Sequence, residues 1–184
     1  MIKLNILDQS PVIEGITPAE AVLQTIELAK FADNLGYQRY WVAEHHSSYS
    51  FASASPEILI PAIASLTKKI RIGSGGILIS HYSPFKIAEQ FNLLQSLYPD
   101  RIDLGIGRAP GGDKNIIKAM RTSNEDSFAK TTELINHLKG SSEKKSYENV
   151  TAVPSGVKLP EIWILGTSPE SSIYAAENGL PYIF

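Results

Sequence analysis

The sequence predicts an α/β fold in which parallel strands alternate with crossover helices. Three observations carry this expectation. Short apolar runs with strand character recur along the chain, and amphipathic segments separate them. Four Ser/Thr-Pro dipeptides stand where helices should begin, three of them following a strand end.

Ile2, Leu4 and Ile6 alternate with Lys3 and Asn5, the period-two pattern of a first strand. Thr17, Pro18 and Glu20 then spell a helix start, with a capping hydroxyl, a proline where no N–H is needed and a reciprocal carboxylate. That helix carries apolar residues at Val22, Ile26 and Ala29 and again at Leu28, Phe31 and Leu35, and Gly36 is its natural stop. Residues 40–43 form a second strand. Ser55-Pro56-Glu57 opens a helix to about Thr67, with a kink expected near Pro61.

Residues 70–79 are nearly all apolar or glycine, as in a strand covered on both faces. Ser83-Pro84 opens a helix through Phe91, Leu94 and Leu97. Ile102, Leu104 and Ile106 mark a fourth strand, within which Asp103 needs a charge partner in a barrel interior or at a strand end. Residues 127–138 form a helix stopped by Gly140, residues 162–165 a fifth strand, Ser168-Pro169-Glu170 a helix start, and residues 180–184 the beginning of a sixth strand. Two segments read as loops, 109–120 and 140–160; the second is rich in Ser, Lys, Glu and Pro and is an insertion or a solvated connection. No domain boundary is evident, so residues 1–184 form one domain.

The chain has 184 residues, 43% hydrophobic and 20% charged, with 17 basic against 19 acidic side chains. This is the composition of a globular chain rather than a disordered one. The formal charge of −2 offers no basic footprint for a nucleic-acid backbone. With no cysteine, disulfides, thiolate metal sites and cysteine nucleophiles are excluded together. Lys3, Asn5 and Asp8 interrupt any signal-peptide core, and no run approaches a membrane span, so a cytoplasmic location is expected.

Functional groups of such folds gather just past the C-terminal ends of the strands. Those positions hold Glu44-His45-His46, Arg108 with a Gly/Pro loop, and Gly166-Thr167-Ser168 followed by Ser171, and Gly73-Ser74-Gly75-Gly76 joins them from within the third strand. Adjacent side chains on an extended backbone point apart, so His45 and His46 do not easily share a metal. An imidazole here is either a structural hydrogen-bonding group or an acid/base beside a cofactor. The glycines either form a bulge or clear space for a flat ligand against the backbone. Arg108 is a solvent-facing cation or a partner for phosphate or an anionic ring. Ser168 and Ser171 cap a helix or offer, with its N-terminus, an anion site.

Together the stretches LDQSP, YWVAEHH, ASASPEILIPAIAS, IRIGSGGILISHYSPFKIAEQF, YPDRIDLGIGRAPGGD and EIWILGTSPESSIYAAENGLPYIF resemble the bacterial luciferase-like monooxygenases, flavin-dependent enzymes on a TIM barrel. The resemblance runs almost end to end and is interrupted mainly by residues 114–159. It implies reduced FMN, supplied by a separate flavin reductase, with dioxygen and an unidentified small organic substrate. It also implies that His45 is the catalytic imidazole near the flavin and that Gly75–Gly76 forms a cis peptide against the ring. Arg108 would contact the flavin, and Ser168 and Ser171 would bind its phosphate. Thr167 stands where luciferase has an acidic residue. Homodimerisation is expected through the helices near 55–67 and 83–97.

A family barrel has eight strand–helix units, and about 250 residues are typical. This chain reaches the sixth strand, so the expectation is an N-terminal barrel portion of about six units that binds FMN weakly and turns over little by itself. Other readings remain: a non-catalytic, partner-binding half-barrel, a deazaflavin (F420) oxidoreductase on the same fold, and a metal hydrolase using His45 and His46.

Overall fold

The computed structural model describes residues 3–109, 111–123, 125–140 and 149–184. Ile2, read as part of the first strand, lies outside the described residues. Six strands are hydrogen-bonded in sequence order, all parallel: β1 (Asn5–Asp8), β2 (Arg39–Val42), β3 (Arg71–Leu78), β4 (Ile102–Gly107), β5 (Glu161–Leu165) and β6 (Tyr182–Ile183). Between them lie α1 (Pro18–Leu35), α2 (Pro56–Leu66), α3 (Pro84–Leu97), α4 (Lys114–Ala119), α5 (Ser127–Leu138) and α6 (Pro169–Glu177). Sequential parallel strands joined by helices make an incomplete (β/α) barrel whose sheet edges are β1 and β6.

All four Ser/Thr-Pro helix starts are realised. Thr17, Ser55, Ser83 and Ser168 are N-caps, and each following proline opens the helix. At α1 the full capping box forms, and Gly36 ends the helix in the left-handed conformation with φ 79°. The capping hydroxyl is silent only at Ser55. Helix α2 continues through Pro61 to Leu66.

Strand alternation sorts the side chains into two layers. Tyr40, Val42, Ile72, Leu104, Ile106, Ile162 and Ile164 join the core between sheet and helices, where Ile60, Ile63, Ile87, Phe91 and Leu134 meet them. The α1 face that reaches this core carries Ala29 and Ala32, with half-buried Val22 and Ile26 packed against it, as the first apolar set of the sequence predicts. Leu28, Phe31 and Leu35, read from the sequence as a second apolar set, remain exposed on the helix.

The inner face of the sheet carries the other registers, including Arg39, Arg71, Asp103 and Glu161. Asp103, fully buried, finds its charge partners there: Arg39 Nη1 at 2.5 Å and Arg71 Nη2 at 2.6 Å, with Trp41 Nε1 donating at 2.9 Å. Arg39 also pairs with Glu161 at 2.7 Å and lies over the Trp163 ring. This polar plug closes the N-terminal end of the inner face, opposite the rim where ligands bind in such folds.

Two expectations need correction or delimitation. Residues 109–120 do not form a loop throughout, because Asp113 caps the short helix α4 by accepting from the backbone N–H groups of Asn115 and Ile116. Of the 140–160 connection, residues 141–148 lie outside the described residues, and residues 149–160 contain neither helix nor strand. Among the described residues no helix is long and apolar enough to cross a membrane.

Candidate functional site

At the C-terminal rim a cavity of about 500 Å³ opens, lined by residues from the ends of β1 to β5. His46, Gly73 and Ser74 do not line it, but the six residues to which the resemblance gives a catalytic or flavin-binding role do: His45, Gly75, Gly76, Arg108, Ser168 and Ser171. They come from four separate strand ends, and the parallel connectivity alone brings them to one mouth.

Arg108, immediately after β4, crosses to the start of α6. Its Nη2 donates to Ser168 Oγ at 2.8 Å and to Ser171 Oγ at 2.6 Å, and its Nε donates to Ser171 Oγ at 3.1 Å. The guanidinium sits 4.0 Å above the Phe128 ring, which stacks in turn on Tyr174. The helix N-terminus, two hydroxyls and an oriented cation thus converge, a donor set suited to phosphate.

Gly75 and Gly76 are joined by a cis peptide bond. The β3–β4 register shifts between Ser74 and Ile77, so the bulge read from the glycines is present as well. A side chain on Gly75 would collide with Leu7 Cδ1, and one on Gly76 would come within 2.8 Å of the Gly105 carbonyl oxygen. Both glycines line the cavity, where they present backbone and no side chain.

His45 and His46 do point apart. His45 lines the cavity, its ring 4.7 Å from that of Phe51, and its backbone N–H donates to the Ser53 carbonyl at 3.0 Å. His46 turns instead to Glu44, with Nε2 2.7 Å from Oε1. The Tyr82 hydroxyl also donates to Glu44 Oε1, and burial together with that carboxylate pushes the phenol's pKa up. Tyr82 therefore stays a donor. Among the described residues no group of three or more His, Asp or Glu side chains is arranged to hold a metal ion.

Sequence reading missed Gln9, which lines the cavity just past β1. The strand-end rule applied to β2 through β5 would have found it at β1. Its neighbours are anchored: Asp8 accepts from the Ser10 N–H at 2.8 Å and from the Tyr40 hydroxyl, and Thr25 donates to Ser10 Oγ at 2.8 Å.

Six parallel strands in sequence order, helices between them and a cavity on the rim where the strands end define a class: the (β/α)-barrel proteins, here an incomplete barrel. The family model for luciferase-like monooxygenases matches residues 3–184, and the chain belongs to that family. An N-acetyl-S-alkylcysteine monooxygenase of Bacillus subtilis is 41% identical over 189 residues, covering 100% of this chain and 57% of the relative. The crystal structure of apo-MsnO8 superposes with a TM-score of 0.91 at 47% identity, covering 98% of this chain and 54% of that one. A type II Baeyer-Villiger monooxygenase, the oxygenating constituent of 3,6-diketocamphane monooxygenase from Pseudomonas putida in complex with FMN, shares the fold with a TM-score of 0.77 at 22% identity over 99% of this chain and 57% of its own. The chain thus spans little more than half the length of these relatives.

Proposed function

We propose that this chain carries the flavin cradle of an FMN-dependent monooxygenase acting on a small organic substrate with dioxygen. The observation that carries the reading is the convergence of Arg108 with Ser168 and Ser171 at the start of α6, in the cavity that also holds His45 and Gly75–Gly76. The residues fit the cofactor: the donor set suits a phosphate, and Gly75 and Gly76 line the same cavity with backbone alone. A neighbour of the same fold is solved in complex with FMN.

Bound reduced FMN would supply the electrons that let one oxygen atom enter the substrate while the other leaves as water. The chain's own residues have simpler tasks. Arg108, Ser168 and Ser171 anchor the phosphate and so fix the depth of the ring. Gly75 and Gly76 support it through the backbone alone. His45, steadied against Phe51, offers a ring nitrogen for proton transfer in the cavity it lines. Leu7 and Leu165 provide apolar walls that limit water.

The same reading assigns the protein to the cytoplasm, takes reduced FMN from a separate flavin reductase, and pairs two copies through α2 and α3. Exposed Ile58 and Leu66 on α2 and Leu93 and Leu97 on α3 support that pairing.

A titration of the purified chain with FMN, followed by flavin fluorescence and repeated with F420, tests the cofactor. Saturable binding of FMN in preference to F420 supports the reading. Preference for F420 would turn it to deazaflavin chemistry, and binding of neither would leave a non-catalytic half-barrel. Sedimentation velocity tests the dimer, which I58D should dissociate.

A further inference from the structure

Glu44 stands beside His45 in the chain, yet its own side chain is wholly buried. Three groups from three segments grip its carboxylate. Oε2 accepts the N–H of Leu78, the last residue of β3, at 2.9 Å. Oε1 accepts the Tyr82 hydroxyl at 2.8 Å and lies 2.7 Å from His46 Nε2. Leu78 follows the Gly75–Gly76 pair by two residues. One carboxylate therefore ties the segment bearing the cavity imidazole to the strand bearing the glycine pair.

The chemistry of the contacts fixes a proton as well. A carboxylate only accepts hydrogen bonds, so His46 must carry a hydrogen on Nε2. We infer that Glu44 is a positioning residue: it clamps the His45 segment against the end of β3 and holds His46 in the Nε2–H tautomer. The consequence for flavin rests on the proposed function; the clamp and the tautomer do not.

The test uses the whole chain and its E44Q variant. The amide oxygen introduced by this substitution can still accept the Leu78 N–H, but the new NH₂ group faces His46. The imidazole must then accept at Nε2 and move its hydrogen to Nδ1. Long-range ¹H–¹⁵N NMR, with His46 identified by the loss of its signals in H46Q, is expected to show Nε2–H in the native chain and Nδ1–H in E44Q. FMN affinity should fall by roughly tenfold in E44Q, read by fluorescence titration.

An Nδ1–H pattern at His46 in the native chain would overturn the proposal, as would E44Q keeping both the native tautomer and the native FMN affinity. A native chain that binds no FMN but shows the tautomer switch would uphold the clamp and remove the flavin reading. If E44Q fails to fold, the native tautomer decides the matter alone.

Discussion

Arg108 Nη2 lies 2.6 Å from Ser171 Oγ, so the exit of β4 and the first turn of α6 are joined side chain to side chain across the rim. Neither residue is near the other in sequence. Their meeting turns a helix N-terminus into a charged cradle, and that cradle distinguishes the cavity from an ordinary barrel mouth.

The forked guanidinium makes a first prediction. It reaches two hydroxyls at once through separate N–H groups, which an ammonium cannot reproduce. R108K should therefore lose FMN affinity by roughly tenfold although the charge remains, and S171A by a smaller factor. Fluorescence titration of the three proteins side by side checks the order. An R108K variant with native affinity would show that charge alone is used.

Two adjacent glycines make the second. The intruding Cβ in G75A meets the end of the Leu7 side chain, which is half exposed and free to turn away, and lies 3.2 Å from Cβ of the buried Trp41, a tight contact but not a backbone clash. In G76A it meets the Gly105 carbonyl oxygen at 2.8 Å and the Gly107 nitrogen at 3.0 Å, both fixed backbone of β4. G76A is expected to destabilise by about 1–3 kcal/mol and G75A by less. Equal losses in thermal unfolding would contradict the geometry.

Asp103 makes the third. It is fully buried, and two arginines and an indole N–H converge on it. Removing its charge leaves Arg39 and Arg71 with only the half-exposed Glu161 as an ionic partner in this cluster. D103N is expected to cost about 3–5 kcal/mol of unfolding free energy, measured with urea. A loss below about 1 kcal/mol would mean that water replaces the carboxylate.

Glu57 gives the pH dependence. Its Oε2 is buried and finds no hydrogen-bond partner among the described residues. Burial, and then the nearby Glu44 charge, push its carboxyl above the usual value of 4.5. A raised folded pKa means that stability present below the unfolded pKa is lost as pH rises through the folded one. E57Q should therefore raise Tm by roughly 2 °C at pH 7, the gain vanishing below about pH 4. A gain that grows on acidification would reverse the sign and refute this account.

The parts of this molecule that were legible in the sequence are those governed by local chemistry. A capping hydroxyl, a proline and a nearby acid specify α1 within four residues, and the same grammar marks α6. Strand ends could be read for the same reason, and with them His45, Arg108 and Ser168. The pairing of Arg39 with Asp103 joins residues 64 apart, and only the assembled sheet reveals it. The capping by Asp113 was hidden by glycines that read as loop, and Leu28, Phe31 and Leu35 looked like core because their spacing suits it. Tertiary packing chose the other apolar set of α1, Val22, Ile26 and Ala29, together with Ala32.

The most direct measurement compares FMN with riboflavin, which share the ring and differ by the phosphate, in the native chain and in R108A. The rim cradle predicts that the native chain favours FMN by roughly tenfold or more and that R108A loses most of that preference. Equal affinity for the two flavins in the native chain would contradict the assignment of Arg108, Ser168 and Ser171 as a phosphate site.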